Sequence, residues 1–123
     1  MVIEAIIENR EAKQALFKKI APHLKEGALL ATNTSSIPLE ELAQSLDAPG
    51  RLAGLHFFNP VAKMPLIEVI RGNSTDAASV DKGLAFGRRI DRLALPVKSA
   101  PGFLVNRVLM PYLLEAMVLR EED

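Results

Sequence analysis

The chain has 123 residues, of which 49% are hydrophobic and 24% charged, with 15 Lys+Arg against 15 Asp+Glu and no cysteine. That length suits one domain, and a formal charge of zero argues against a nucleic acid or an anionic membrane surface as the main partner. Without cysteine there are no disulfides and no thiolate metal sites, which is compatible with a reducing compartment.

The opening Met1-Val2-Ile3-Glu4 has no basic segment ahead of its apolar stretch, so no signal peptide is expected. No apolar run approaches the ~18 residues of a membrane-spanning helix. The expected location is the cytoplasm or an organelle matrix.

Residues 2–7 form a short, β-branched apolar run that reads as a buried strand. Asn9 is placed to cap a following helix. In that helix Ala12, Leu16, Ile20 and Leu24 recur every four residues, with Phe17 beside them, and Gly27 is expected to close it. Residues 28–32 read as a second strand and lead into the polar cluster Asn33-Thr34-Ser35-Ser36. Pro38 then starts a short helix over 39–46, and Pro49-Gly50 makes a turn. Residues 52–58 and 66–70 read as strands three and four. After Gly72, Asn73-Ser74-Thr75 offers a cap for a helix reaching about Arg92, with Ala77, Val80, Leu84 and Gly87 along one side. Residues 93–97 read as a fifth strand. Pro101-Gly102 opens a long helix from Phe103, bent or broken in its bonding at Pro111.

Strands alternating with helices predict an α/β fold with a mostly parallel sheet. The link from Phe58 to Leu66 is too short and proline-broken for a helical crossover, so strands three and four are expected to pair antiparallel. That pairing brings His56, near the end of one strand, toward Glu68, near the start of the next. A carboxylate inside Leu66-Ile67-Glu68-Val69-Ile70 is costly to bury unless paired, and His56 is the nearest partner in sequence. A carboxylate on one imidazole nitrogen fixes the tautomer and leaves the other nitrogen free to take a proton. A lone histidine is more often simply satisfied in the core, and Ser36 more simply caps a helix, so spacing alone leaves both readings open. Asn106 reads as an ordinary solvated or capping amide, and His23 as a helix-end residue favoured by the dipole. The seven glycines form no G-x-G-x-x-G, and nothing has metal-site spacing.

The run Gly54-Leu55-His56-Phe57-Phe58-Asn59-Pro60-Val61, continuing into Met64-Pro65-Leu66-Ile67-Glu68-Val69-Ile70, resembles the active-site signature of the L-3-hydroxyacyl-CoA dehydrogenases. Glu4-Ala5-Ile6-Ile7-Glu8-Asn9 with Lys13, Asn33-Thr34-Ser35-Ser36-Ile37, and Pro101-Gly102-Phe103-Leu104-Val105-Asn106-Arg107 resemble three further segments of that family, in its order and spacing. Met64-Pro65-Leu66, Arg71-Gly72 and Met110-Pro111-Tyr112 are more similar to the multifunctional β-oxidation proteins, which fuse an enoyl-CoA hydratase to this dehydrogenase.

The resemblance implies an NAD-dependent oxidoreductase acting on an acyl-CoA in fatty-acid β-oxidation. It makes His56 the base, Glu68 its orienter, and Ser35 and Asn106 members of the same catalytic site. It places Glu8, Lys13, Ser35 and Asn59 along the cofactor cleft. It also implies that residues 1–100 are the second half of a Rossmann-type NAD-binding domain, lacking the glycine-rich βαβ half. Residues 101–123 would be the first helix of the helical C-terminal domain. From this follow the expectations of little NAD binding or turnover by the isolated chain, and of exposed apolar faces that drive a homo-oligomer, with a helix-exchanged dimer as one form. A non-catalytic, self-associating module of the same fold is the alternative. A related β-hydroxyacid or sugar-acid substrate is a third reading.

Overall fold

The computed structural model describes residues 1–122. In chain order they form β1 (Val2–Glu4), α1 (Arg10–Ile20), β2 (Leu30–Thr32), α2 (Leu39–Ala43), β3 (Leu52–Phe57), β4 (Leu66–Arg71), α3 (Ala77–Arg89), β5 (Leu93–Lys98) and α4 (Val105–Glu122), with 3₁₀ turns at Ala21–His23 and Pro49–Arg51. The five strands make one sheet in the order β1-β2-β3-β4-β5. β1, β2 and β3 run parallel, β3 and β4 antiparallel, and β4 and β5 parallel. The α/β architecture with a single antiparallel pair is therefore as the sequence predicts. Among the described residues no helix is long and apolar enough to cross a membrane.

Side-chain alternation gives the sheet two dry faces. On one, Leu30, Leu52 and Ile70 pack with Phe17 of α1, Leu39 and Leu42 of α2, and Phe103 ahead of α4. On the other, Leu29, Ala31, Ala53, Leu55, Ile67 and Val69 pack under Val80, Leu84 and Phe86 of α3. The first face changes character along the strands. Its apolar residues sit toward the amino ends of β1–β3, while Glu4, Thr32 and His56 occupy the carboxyl ends, with Glu68 beside them on β4.

Several element limits depart from the sequence reading, each for a local reason. β1 stops at Glu4 and is not buried: Val2, Ile3, Ile6 and Ile7 are exposed. It sits at the sheet margin and pairs only with β2, and the Glu4 carboxylate captures the Ile6 amide (2.7 Å), which turns the chain out of the strand. α1 does begin at its Asn9 cap, whose Oδ1 accepts from the Ala12 amide (2.8 Å). Its buried stripe is Lys13 and Phe17, however, with Ala12 and Leu16 only half-buried. It ends at Ile20, not Gly27, because Pro22 has no N–H to continue the ladder. β2 begins at Leu30, and α2 is one turn shorter than expected, closed by Ser45, whose hydroxyl donates to the Leu42 carbonyl.

α3 starts after Asp76, without a side-chain cap. Thr75 is occupied elsewhere: its hydroxyl donates to the Leu52 carbonyl (2.7 Å) and accepts from the Gly72 amide (2.9 Å). The fully buried residues of α3 are Ser79, Gly83 and Gly87, flanked by the half-buried Val80 and Leu84, while Ala77 is exposed. A Cβ on Gly83 would lie 2.8 Å from Val69 Cγ1, and one on Gly87 2.7 Å from Ala94 Cβ. Bare backbone therefore sets how closely α3 approaches β4 and β5. β5 tolerates Pro96 because it is an edge strand. α4 begins at Val105 rather than Phe103, whose φ of 49° takes it out of helical space. It continues through Pro111, whose missing N–H leaves the Arg107 carbonyl without its usual donor.

Candidate active site

His56 and Glu68 are directly opposite each other in the β3–β4 ladder, and both are buried. His56 Nδ1 lies 2.7 Å from Glu68 Oε2. The other Glu68 oxygen, Oε1, accepts from the Leu104 and Val105 amides at 3.0 and 2.9 Å, at the start of α4. Both amides are obligate donors to Oε1; with Glu68 as the carboxylate, Oε2 accepts as well and the proton of the pair is assigned to Nδ1. Nε2 is then the free lone pair. It faces Ser35 Oγ at 3.1 Å. Edge-on contacts from Phe58 and Phe103, with ring centroids 4.5 and 5.5 Å away, hold the imidazole in place. Glu68 thus does two jobs: it orients the ring and it ties α4 to the sheet.

Ser35 comes from the loop after β2, the polar cluster noted in the sequence. Ser36 does not cap α2, because Pro38 occupies that position. Instead Glu8, beyond β1, organises the loop. Its Oε1 accepts from Thr34 Oγ1 (2.6 Å), the Ser35 amide (2.9 Å), and the Ser36 amide and hydroxyl (both 3.1 Å). Burial pushes the Glu8 carboxyl upward, but those bonds and the nearby Lys13 ammonium outweigh it and hold it below 4.5. Asn33 Oδ1 accepts from the Phe57 amide (2.9 Å), tying the carboxyl end of β2 to that of β3.

Behind the loop, Lys13 is almost completely enclosed, its side chain only 1% exposed. Its ammonium donates to Glu4 Oε1 (2.6 Å) and lies 3.4 Å from Glu8 Oε2. Glu4 also accepts from the Thr32 hydroxyl (2.7 Å). Hydrogen bonds and one ion pair, Lys13–Glu8, therefore link Glu4 through Lys13, Glu8, Ser35 and His56 to Glu68 across the carboxyl ends of the strands. Among the described residues no buried side-chain nitrogen or oxygen lacks a partner.

His56, Glu68, Ser35, Glu8 and Lys13 are thus brought together. Asn59 and Asn106 are less engaged. Asn59 is exposed past the end of β3, and half-buried Asn106 follows the Val105 amide bonded to Glu68; neither side chain makes a hydrogen bond among the described residues. The sequence reading missed Glu4 and Phe103. Glu4 carried a usable signal, since it stands in an apolar run just as Glu68 does, and the same burial argument demands a partner. Phe103 carried none, because its contact with His56 depends on a left-handed backbone that composition does not announce. A groove of about 430 Å³ lined by Pro22, Leu46 and Arg51 borders the amino ends of β2 and β3, opposite the dyad, and takes no part in the site.

A Rossmann-type α/β sheet that gathers polar groups at its carboxyl ends around a histidine–carboxylate pair defines a dinucleotide-dependent dehydrogenase type of domain. Residues 1–100 match the family described as "3-hydroxyacyl-CoA dehydrogenase, NAD binding domain", and the chain belongs to that family. It is 45% identical over 112 residues to the fatty acid oxidation complex subunit alpha of Pseudomonas paraeruginosa, covering 91% of this chain and 16% of that protein. Its fold superposes on 3-hydroxybutyryl-CoA dehydrogenase from Escherichia coli with a TM-score of 0.93 and 43% identity, over 98% of this chain and 26% of that one. The corresponding figures for (S)-3-hydroxybutyryl-CoA dehydrogenase from Ralstonia eutropha are 0.92 and 39%, over 98% and 43%. The chain therefore spans between 16% and 43% of the length of these relatives.

Proposed function

We propose that this chain supplies the base, its orienter and the neighbouring hydroxyl for NAD-dependent oxidation of an L-3-hydroxyacyl-CoA to the 3-ketoacyl-CoA in fatty-acid β-oxidation. The observation that carries the reading is His56 itself, with Nδ1 engaged by Glu68 and Nε2 turned to Ser35 at the strand edge. Nε2 takes the proton of the 3-hydroxyl as C3 is oxidised, and Glu68 stabilises the imidazolium that forms. The Ser35 hydroxyl holds the substrate oxygen beside the base, and Asn106 contributes from α4. NAD, when bound, accepts the hydride that leaves C3.

The residues present fit the nicotinamide end of such a cofactor: three parallel strand ends converge on the exposed Ser35, with half-exposed Glu8 beside it. Glu8 and Asn59 line this cleft, and enclosed Lys13 serves it through Glu8. Residues 1–100 act as the dyad half of the nucleotide domain, and residues 101–123 begin a helical domain. On this reading turnover needs the other half, and a dehydrogenase holding this segment together with it reduces acetoacetyl-CoA with NADH. His56→Ala there should cost at least about 100-fold in kcat, the range of general-base contributions, and an unchanged rate sinks the proposal.

One observation favours a second reading, self-association. α4 exposes Val108, Tyr112, Met117 and Leu119, and β1 exposes Val2 and Ile3. Apolar surface of this extent on a helix and a strand margin is best covered by a second copy, including one that exchanges α4.

A further inference from the structure

Glu8 has so far been placed along the cofactor cleft, but its hydrogen bonds assign it a different task. We propose that Glu8 is a positioning residue: it holds the Thr34–Ser36 loop in the one conformation that sets Ser35 Oγ against His56 Nε2. The proposal rests on the reading of His56 as the base and adds to it the device that presents its hydroxyl partner.

Three observations carry it. First, Glu8 Oε1 receives four donors, and all four come from the three consecutive residues 34–36. An oxygen that accepts this many bonds has no lone pair left to offer a ligand. Second, Oε2 faces Lys13 at 3.4 Å, and Lys13 is itself fixed by the buried Glu4. The carboxylate is therefore held from behind by a cation that cannot move to solvent. Third, the loop has little else to fix it. Ser35 and Ser36 are exposed, and the other bonds at their amides and at Ile37 are local ones to Thr34 Oγ1 at 3.4 and 3.0 Å. Among the described residues the only side-chain link from Ser35 toward the dyad is the 3.1 Å approach to Nε2. Without Glu8, that approach depends on a short polar loop that water would readily solvate.

The geometry makes reach, not charge alone, the critical property. Aspartate keeps the charge but is shorter by one C–C bond, about 1.5 Å, which takes every donor of the loop out of hydrogen-bonding range. Glutamine keeps the reach and an acceptor oxygen but not the charge. The test uses this chain with no substrate or cofactor. It compares hydrogen exchange at the Ser35 and Ser36 amides and the ¹⁵N shifts of the His56 ring in Glu8→Asp, Glu8→Gln and the parent.

In Glu8→Asp, both amides should exchange at least about tenfold faster, the factor that loss of one ordinary hydrogen bond gives, and the Nε2 resonance should move as Ser35 departs. Glu8→Gln should stay within about threefold of the parent and keep the Nε2 shift, since a neutral acceptor at full reach keeps most of the bonding. Parent-like exchange and ring shifts in Glu8→Asp overturn the proposal and leave Glu8 as a cofactor contact only. Glu8→Gln as loose as Glu8→Asp overturns it too, because charge rather than reach would then govern the loop. Neither result bears on whether His56 is the base, which is read separately from turnover in His56→Ala.

Discussion

Replacing Glu68 with Gln should inactivate His56 while leaving the fold nearly intact. Glu68 is fully buried and accepts three bonds, one from His56 Nδ1 and two from the Leu104 and Val105 amides. Gln has the same shape but only one acceptor oxygen. The two amides are obligate donors, so that oxygen turns to them and the NH₂ turns to Nδ1. Nδ1 must then accept, the proton moves to Nε2, and the base has no lone pair where the substrate oxygen would sit. The expected loss is on the order of 10⁴ in kcat, the scale found when a catalytic histidine is held in the wrong tautomer. Stability should fall by only about 1 kcal/mol, since each donor keeps a partner. Glu68→Ala should instead cost about 2–4 kcal/mol, because it strands both amides and Nδ1 together. Ring ¹⁵N spectra report the tautomer, and urea unfolding reports the stability. A Glu68→Gln protein that keeps its proton on Nδ1 refutes the reasoning, whatever its activity.

Three other outcomes follow from the same structure. Lys13→Met leaves the enclosed Glu4 carboxylate without its cation and should cost about 3–5 kcal/mol, with most of it regained in Glu4→Gln/Lys13→Met; a single-variant cost below about 1 kcal/mol in urea would show that the pair is not needed. Burial raises the Glu40 carboxyl, but bonds from the Ser99 hydroxyl and the Asn73 amide prevail and hold it below 4.5. A depressed carboxyl contributes stability above its unfolded value that is lost as pH falls through the folded one, so Tm should drop below about pH 4.5, and less steeply in Glu40→Gln. Sedimentation at micromolar concentration should find a dimer or larger species, and a monodisperse monomer contradicts the reading of α4 as a covered face.

What the sequence made legible follows from what kind of signal each feature left. The antiparallel β3–β4 pairing was legible because the link from Phe58 to Leu66 permits no helical crossover, and that pairing alone places His56 opposite Glu68. Helix faces were read less well. On α1 a four-residue apolar repeat pointed to Ala12 and Leu16, whereas the buried stripe runs through Lys13, a residue that hydropathy assigns to solvent. On α3 the reading placed Val80, Leu84 and Gly87 on the sheet, where they pack, but it included the exposed Ala77 and missed Ser79 and Gly83, small residues that permit close approach. The role of Glu8 depends on loop geometry that no periodicity encodes. The shift of the α4 start from Phe103 to Val105 likewise rests on a local left-handed turn.

The central claim is that His56 and Glu68 work as one unit, a base and the group that holds it. A double-mutant cycle on kcat measures this directly, with His56→Ala, Glu68→Gln and the pair together in a dehydrogenase containing this segment and its complementary half. The account predicts strong non-additivity: the double variant should be no slower than His56→Ala alone, because Glu68 has nothing left to orient. Losses that simply multiply would mean that the two residues act independently, and the account would fail.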